Sequence, residues 1–261
     1  MSGNIVRIAG PVVTVADLPA ARMYDVVQVG HQRLVGEAIR LGSDTATVQV
    51  YEDTNGLRVG DPVTSLGHPL IAELGPGLLG GIFDGLQRPL PLIYEQQGAW
   101  LARGLSAPAL SRAQRWSFHP RAQVGQEVHA GDLLGTVQET AAFEHRILVP
   151  PHVAGTVTAI EAGDFTVESP VAQIKDDHGT DHTVTLVQRW PVRQPRPYRA
   201  KLEPAIPLIT GQRVIDAFFP IVRGGTAIIP GGFGTGKTVM EQSLAKWIDA
   251  DIVIYIGCGE R

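Results

Sequence analysis

The sequence is poor in cysteine, in long apolar runs and in excess positive charge, and each shortage excludes a class of protein. A single cysteine, Cys258, excludes an internal disulfide and suits a reducing compartment. No stretch approaches the roughly 18 consecutive apolar residues of a membrane-spanning helix. A formal net charge of −4 argues against a nucleic-acid surface, which normally needs a basic patch. We therefore predict no transmembrane helix and no nucleic-acid partner.

The most informative stretch, IIPGGFGTGKT at residues 228–238, is rich in glycine. It fits the pattern G-x-x-x-x-G-K-[ST], with Gly231, Gly236, Lys237 and Thr238 at the defining positions. This pattern, the Walker A sequence, is typical of loops that hold the phosphates of a nucleotide. The alternative is an ordinary glycine-rich turn that carries a solvated lysine.

The residues on either side of this loop help to decide between the two interpretations. Residues 226–229 form a short β-branched and apolar run, which predicts a buried strand. Residues 239–248, VMEQSLAKWI, have apolar side chains at helical spacing and contain no glycine or proline, which predicts a helix. A strand, a glycine-rich turn and a helix in this order favour the phosphate-binding loop.

The predicted loop offers a nucleotide both backbone and side-chain contacts. Successive backbone N–H groups of such a turn point at one anion, and the positive end of the following helix lies behind them. Lys237 adds a mobile charge for the β- and γ-phosphates, and the Thr238 hydroxyl is a predicted Mg²⁺ ligand. We therefore predict ATP or ADP with Mg²⁺ as the bound group. The predicted nucleotide-binding residues are Gly231, Gly232, Phe233, Gly234, Thr235, Gly236, Lys237, Thr238 and Val239.

A second apolar run, DIVIYI at residues 251–256, predicts another strand and leads through Gly-Cys-Gly to Glu260 and Arg261. Polar residues at the carboxyl end of such a strand fall where ligands bind in open α/β sheets. A carboxylate beside a γ-phosphate can orient or deprotonate the attacking water, an effect typically worth about 10²–10⁴ in rate. We therefore predict Glu260, Lys237 and Arg261 as catalytic residues, with a solvated strand end as the alternative for Glu260.

The amino-terminal part of the chain, residues 1–70, is predicted to be a small all-β barrel. Its apolar and polar residues alternate in short runs that are separated by Gly, Asn and Asp turns. Residues 1–15 alternate in this way and lack the charged and apolar regions of a signal peptide. Residues 71–112 are predicted to be a connector and the start of a nucleotide-binding domain, with a short helix at residues 78–83.

Residues 113–190 are again β-rich and interrupt the expected nucleotide-binding domain, so we predict an inserted β-rich domain. Its two halves, VGQEVHAGDLLGTVQE and RILVPPHVAGTVTAIEAGDFTV, are similar to each other, as in biotinyl or lipoyl carrier domains. A carrier needs a lysine at an exposed hairpin tip, and the first lysine of the chain is Lys175, outside both halves. The sequence therefore favours an insert that is not a carrier.

Two histidines and three arginines are further candidates. His178 and His182 suggest a zinc site, but the intervening glycine and the neighbouring acids predict a loop and disfavour zinc. Arg193, Arg196 and Arg199 form a basic stripe in a proline-rich segment, which we interpret as a solvated connector. Neither set is expected to carry chemistry.

The sequence GGFGTGKTV, followed by IYIGCGER and preceded by PLITGQRVIDAFFPIVRGGTAIIPG, resembles the catalytic A subunit of V-type and A-type rotary ATPases and ATP synthases. Phe233 in the loop is the V/A-type form, and the non-catalytic B subunits of that family lack the loop lysine. Gly232 departs from the family, which often has Pro or Ala there, but glycine still permits the turn. A β-rich insert also marks these A subunits, whereas F-type β subunits lack it.

The resemblance implies a mixed fold, with a small all-β barrel, an inserted β-rich (bulge) domain and a truncated P-loop α/β nucleotide-binding domain at residues 191–261. It implies that Mg·ATP is hydrolysed or synthesised in step with proton or sodium transport, with Glu260 polarising the attacking water. The implied partners are B subunits in an alternating A3B3 hexamer, the central stalk subunits and, indirectly, the membrane sector. A neighbouring B subunit would supply an arginine finger. The implied location is cytoplasmic and peripheral on the membrane through the complex.

Two alternatives stay open. The sequence contains neither the next strand with its metal-organising Asp nor the carboxy-terminal helical domain that the resemblance implies, so we expect the amino-terminal part of a larger catalytic protein. Such a part could be a nucleotide-binding or assembly module without turnover. The other alternative is a different P-loop NTPase of the same fold, such as a transcription-termination helicase, although that function needs a basic surface.

Overall fold

The computed structural model of the chain describes residues 2–100, 102–198 and 200–259, and it divides into two compact units. The first unit is Met1–Pro195 and the second is Arg196–Arg261. Arg199, Glu260 and Arg261 lie outside the described residues. Within the described part of the chain, no helix has the length and the apolar composition that crossing a bilayer requires.

The amino-terminal residues form a closed six-stranded barrel, as the alternating sequence predicts. Every pair of neighbouring strands is antiparallel, and the order around the barrel is first, second, fifth, fourth, third and sixth. The strands are β1 (Ser2–Ala9), β2 (Val12–Ala16), β3 (Asp25–Val29), β4 (Leu34–Leu41), β5 (Thr45–Val50) and β6 (Pro62–Pro69).

The interior of the barrel is filled by the alternate side chains of these strands. On β2, Val13 and Val15 are fully buried, while the residues between and beside them are only partly buried. Val15 is paired with Ile5 of β1 on one side and with Ala46 of β5 on the other, and both partners are buried. A slip of one residue would turn these side chains towards water, so burial of this row fixes the strand register.

The connector after the barrel contains one helix, which is not where the sequence predicts it. The predicted helix at residues 78–83 is wrong, because this segment consists of turns. Gly77 and Gly80 have φ angles of 107° and 74°, which a right-handed helix does not allow. The helix of this region is α1 (Leu90–Gln97), whose Ile93 is buried.

A largely buried arginine, Arg88, links the connector to the barrel end. Its Nη1 donates to Glu52 Oε1 at 2.8 Å and to the Leu105 carbonyl at 3.0 Å, and its Nε donates to Asp84 Oδ2 at 2.6 Å. Glu52 Oε2 also accepts the Gly104 amide at 3.0 Å. Since the Arg88 side chain is only 11% exposed, loss of either carboxylate would leave a buried charge with fewer partners.

The inserted β-rich domain is confirmed and consists of two four-stranded sheets. Each of its two apolar cores takes side chains from both sheets. One sheet has the spatial order β11 (Phe143–Leu148), β10 (Leu133–Thr140), β8 (Arg115–Pro120) and β13 (Gly163–Thr166). The other has the order β15 (Asp181–Thr185), β14 (Pro170–Lys175), β12 (Gly155–Ile160) and β9 (Glu127–Val128).

The two ends of the insert meet in a separate two-stranded sheet. The strand β7 (Ile71–Leu74) leaves the barrel, and β16 (Gln188–Pro191) leaves the insert and pairs with it in antiparallel fashion. Just beyond β16, Arg193 forms an ion pair with the buried Glu37 of the barrel. Arg193 thus makes a specific contact that the interpretation as a solvated connector does not include, although its side chain is 52% exposed.

The second unit contains β17 (Pro207–Leu208), α2 (Arg213–Phe218), β18 (Ile221–Val222) and α3 (Lys237–Trp247). The helix predicted after the glycine-rich loop is confirmed as α3. The two strands predicted at residues 226–229 and 251–256 are wrong, since neither segment belongs to a strand of the described part of the chain. A strand is defined by backbone hydrogen bonds to a neighbour, so apolar composition alone does not produce one.

His178 and His182 form hydrogen bonds within the hairpin between β14 and β15. His182 Nε2 lies 2.9 Å from Asp176 Oδ2, while Asp176 Oδ1 accepts the backbone N–H groups of His178 at 2.9 Å and Thr180 at 2.8 Å. The His182 hydrogen bond, followed by the Thr180 amide, lowers the pKa of Asp176 to about 2. Among the described residues, no group of three or more His, Cys, Asp or Glu side chains could hold a metal ion.

We predict that His182→Ala raises the pKa of Asp176 towards its usual value of 3.8, because the largest contribution to the shift is lost. A lowered pKa means that the ionised carboxyl stabilises the fold above about pH 4 and that this contribution disappears as the pH falls to about 2. An NMR titration of the carboxyl carbon measures the change. His178→Ala is the matched control, since it keeps the backbone N–H that Asp176 accepts. An unchanged Asp176 titration in His182→Ala would contradict the assignment.

Candidate functional site

The glycine-rich loop turns directly into α3 at Gly236. Gly234 and Gly236 have φ angles of 78° and 84°, in the left-handed region that favours glycine. A Cβ atom on Gly231 would lie 2.4 Å from Thr235 Oγ1. This hydroxyl donates to the Gly232 carbonyl at 2.9 Å and so braces the loop from inside. The shape of the loop therefore depends on its glycines.

The N-terminus of α3 is open to an anion. Its N-cap, Gly236, makes no side-chain capping hydrogen bond, and the first turn carries no acidic side chain. The Met240 amide donates to the Gly236 carbonyl at 3.0 Å, so residues 237–239 form the first turn of the helix. Backbone N–H groups and the positive end of the helix dipole suit a phosphate at this position.

The Lys237 side chain folds back over the loop that precedes it. Its ammonium donates to the carbonyl oxygen of Gly231 and, at 3.1 Å, to that of Gly232. The positive charge is therefore held at the loop. A phosphate oxygen is a stronger partner for an ammonium group than a neutral carbonyl is, so the lysine is positioned to exchange these contacts for an anion.

The remaining predicted nucleotide-binding residues lie on the same loop and on the first turn of α3. Phe233, in the loop, is fully exposed, and Val239 is 67% exposed. Thr238 is the second residue of the helix and has the hydroxyl that the sequence proposes for Mg²⁺. The described residues form no carboxylate cluster for a metal, but magnesium in nucleotide sites takes most of its ligands from phosphates and water. The residues therefore fit a Mg-nucleotide with Thr238 as one ligand.

The structure brings together only part of the predicted catalytic set. Lys237 lies on the loop, whereas Glu260 and Arg261 lie outside the described residues. Residues 251–256, which lead towards them, are exposed and belong to no strand. The structure thus describes the loop that is predicted to bind phosphate, and the roles of Glu260 and Arg261 remain predictions.

The far end of α3 is held by residues that the sequence analysis did not single out. Gly211 has a φ angle of 77°, and a Cβ atom there would lie 3.0 Å from the Cβ of Trp247. The Asp249 amide donates to the Ile209 carbonyl at 3.1 Å, and its carboxylate pairs with Arg223 at 2.8 Å. These contacts fix the direction of the helix whose first residues close the loop.

A buried hydroxyl shapes the turn before α2. Thr210 is fully buried, and both its amide and its Oγ1 donate to Asp216 Oδ1, at 3.0 Å and 2.7 Å. These bonds, with the Thr210 amide first, lower the pKa of Asp216. The only sequence signal of this turn is a Thr-Gly pair shortly before a helical run that contains an Asp. Thr and Asp side chains often form hydrogen bonds with nearby backbone groups at the start of a helix.

Models of three domains of the ATP synthase alpha/beta family match successive parts of the chain. Residues 5–67 match the beta-barrel domain of the ATP synthase alpha/beta family. Residues 107–193 match the ATP synthase alpha/beta subunit barrel-sandwich domain, and residues 211–261 match the nucleotide-binding domain of the ATP synthase alpha/beta family. Together with the observed barrel and two-sheet domain, these matches confirm the predicted mixed fold.

Curated relatives are similar over the whole chain. A V-type ATP synthase alpha chain from Thermoanaerobacter sp. is 54% identical over 259 residues, which cover 99% of this chain and 44% of the relative. The A subunit of an A-type ATP synthase from Methanopyrus kandleri is 56% identical over 262 residues, covering 100% of this chain and 44% of the relative. The corresponding A subunit from Thermococcus sibiricus is 52% identical over 260 residues, with coverages of 99% and 44%. The chain thus spans less than half the length of these relatives.

Proposed function

The chain belongs to the ATP synthase alpha/beta family, and we propose that it is the amino-terminal part of a catalytic A subunit of a V/A-type ATP synthase or ATPase. The relatives that carry V-type and A-type names support this assignment over the whole chain. The observation that carries the proposal is the glycine-rich loop at the uncapped N-terminus of α3, with the Lys237 ammonium held on it.

In this proposal the chain holds the phosphates of ATP or ADP by its backbone. The amides of residues 232–236 and of the first turn of α3 donate to the phosphate oxygens, and Lys237 moves from the Gly231 and Gly232 carbonyls to the β- and γ-phosphates. The Thr238 hydroxyl is one ligand of Mg²⁺. The bound metal supplies charge that neutralises the phosphate oxygens.

The proposed reaction is in-line transfer of the γ-phosphoryl group to water, or its reverse. The water oxygen forms the new bond to phosphorus while the bond to the β-phosphate oxygen breaks, so ADP and phosphate leave. Glu260 orients the water and accepts its proton, and Arg261 orients the segment around Glu260. Charge spreads over the equatorial oxygens, where the loop amides and Lys237 stabilise it.

The proposed partners and location follow from the same family. We expect B subunits in an alternating A3B3 hexamer, with an arginine finger from the neighbouring B subunit, and contact with central stalk subunits. Coupling to a membrane sector would make the reaction drive, or be driven by, proton or sodium transport. The corresponding place in the cell is the cytoplasmic face of a membrane, reached through the complex.

A second candidate is a nucleotide-binding or assembly module without turnover. The observation in its favour is that the loop and the start of α3 offer an ammonium group and backbone amides suited to phosphate, while residues 226–229 and 251–256 form no strand. Binding and turnover therefore need separate tests.

For binding, we predict that Lys237→Ala weakens the affinity of the chain for Mg·ATP by about 10- to 150-fold. This range corresponds to the roughly 1.5–3 kcal/mol of a hydrogen bond to a charged group. Isothermal titration calorimetry measures the affinity. Lys246→Ala, at the other end of α3, is the matched control and should bind as the unsubstituted chain does. Equal affinities for the two variants, or no saturable binding by the unsubstituted chain, would contradict the proposal.

For turnover, we predict that Glu260→Gln keeps nucleotide affinity and loses about 10²–10⁴ in hydrolysis rate, because the amide cannot accept the proton of water. The assay is phosphate release by the full-length protein in complex with its partners. Full activity of Glu260→Gln would show that another group activates the water. Absence of turnover in the unsubstituted complex would favour the second candidate.

A further inference from the structure

Arg193, directly after the strand that leaves the insert, reaches back to the barrel. Its Nε donates to Glu37 Oε1 at 2.9 Å, and its Nη2 donates to Glu37 Oε2, which makes the contact bidentate. The centre of the Arg193 guanidinium also lies 4.4 Å from the centroid of the Tyr24 ring. A planar guanidinium that is paired along one edge and stacked on one face has little freedom to move.

The barrel presents a site that requires such a partner. Glu37 lies on β4 between β3 and β5, and its side chain is only 1% exposed. Within the barrel, Tyr51 donates its hydroxyl to Glu37 Oε2 at 2.9 Å. A buried carboxylate is costly unless it is paired and hydrogen-bonded, and the charge that pairs with it comes from a residue 156 positions later in the sequence.

The pKa values of these groups agree with an ionised pair. Chiefly through its hydrogen bond to Arg193, and against the effect of burial, the pKa of Glu37 is lowered. The same contact raises the pKa of Arg193. Burial, followed by the Glu37 hydrogen bond, raises the pKa of Tyr51, so its hydroxyl remains a donor near neutral pH.

The residues around Arg193 form a compact turn. The Val192 amide donates to the Leu70 carbonyl at 2.9 Å, and the Gln194 amide donates to the Pro191 carbonyl at 3.0 Å. Trp190 Nε1 donates to the Gln194 carbonyl at 2.6 Å, and Trp190 is itself buried. Every residue from the end of β16 to Gln194 is therefore tied to the first unit.

Regular structure stops directly after this turn. The first unit ends at Pro195, and the described residues between 196 and 206 belong to no helix or strand. Two prolines in this stretch, at positions 197 and 204, favour an extended chain. Arg193 thus lies two residues before the last residue of the first unit.

We propose that the Arg193–Glu37 pair is an anchor that fixes the exit strand of the insert to the barrel. Two structures, the β7–β16 pair and the Trp190–Gln194 turn, hold this exit segment locally. Arg193 is the residue that attaches it to the barrel wall. The anchor does not depend on nucleotide binding, and it assigns Arg193 a positioning role in the first unit.

Hydrogen exchange at individual amides tests the anchor. In Arg193→Met, we expect the Val192 and Gln194 amides to exchange at least tenfold faster. The Val149 amide of the insert, which donates to the Asp132 carbonyl at 2.9 Å, should exchange as before. Arg193→Lys keeps the charge but loses the bidentate geometry and should give an intermediate rate. The matched control is Arg189→Met, which removes an arginine of the same segment that is similarly exposed (58% against 52% for Arg193) but pairs with Glu73 and Glu168 rather than with the barrel. It should change these rates less than twofold.

The double variant Glu37→Gln/Arg193→Met separates anchoring from general stability. It removes the unpaired buried charge that Arg193→Met leaves behind, so the melting temperature of the barrel should recover relative to that single variant. Exchange at Val192 and Gln194 should stay fast, because the anchor is still missing. The proposal is overturned if Arg193→Met leaves these two amides unchanged, if Val149 accelerates equally, or if the double variant restores their protection.

Discussion

The first turn of an α-helix has backbone N–H groups that its own carbonyls cannot accept, and the candidate site depends on this constraint at α3. The helix begins at a left-handed glycine, without a capping side chain and without an acidic residue nearby. In the loop before the helix, Thr235 approaches Gly231 so closely that no side chain fits at Gly231. The Lys237 ammonium is hydrogen-bonded to the same loop. We propose that a phosphate is the anion that these groups bind together.

The two units achieve their shapes by different means. The barrel and the insert bury valine, leucine and phenylalanine side chains in three apolar cores, so their strands are fixed by packing. In the second unit no residue of α2 or α3 is fully buried, and Phe218, Phe219 and Ile254 are each more than two-thirds exposed. There the loop is positioned by local backbone contacts instead. These are the conformations of the loop glycines, the Thr210–Asp216 turn and the contacts of Gly211 and Asp249.

The sequence predicts best where local pattern and packing agree. Short runs of alternating apolar and polar residues predicted the barrel strands, and the apolar spacing after Lys237 predicted α3. The helix expected at residues 78–83 fails because Gly80 has a positive φ angle, and the apolar segments 226–229 and 251–256 belong to no strand of the described residues. The loop glycines were identified from their motif. The pairing of Arg193 with Glu37 could not be predicted from the sequence, since no local pattern relates residues 156 positions apart.

The central claim is that the backbone amides of the loop and of the first turn of α3 bind phosphate. The most direct measurement is a series of ¹H–¹⁵N spectra of the chain during titration with pyrophosphate and Mg²⁺. The account predicts saturable shifts that are largest at the amides of residues 232–238 and small at the N-terminus of α2. The claim would be contradicted if the amides of residues 232–238 showed no shifts, or shifts no larger than those at α2.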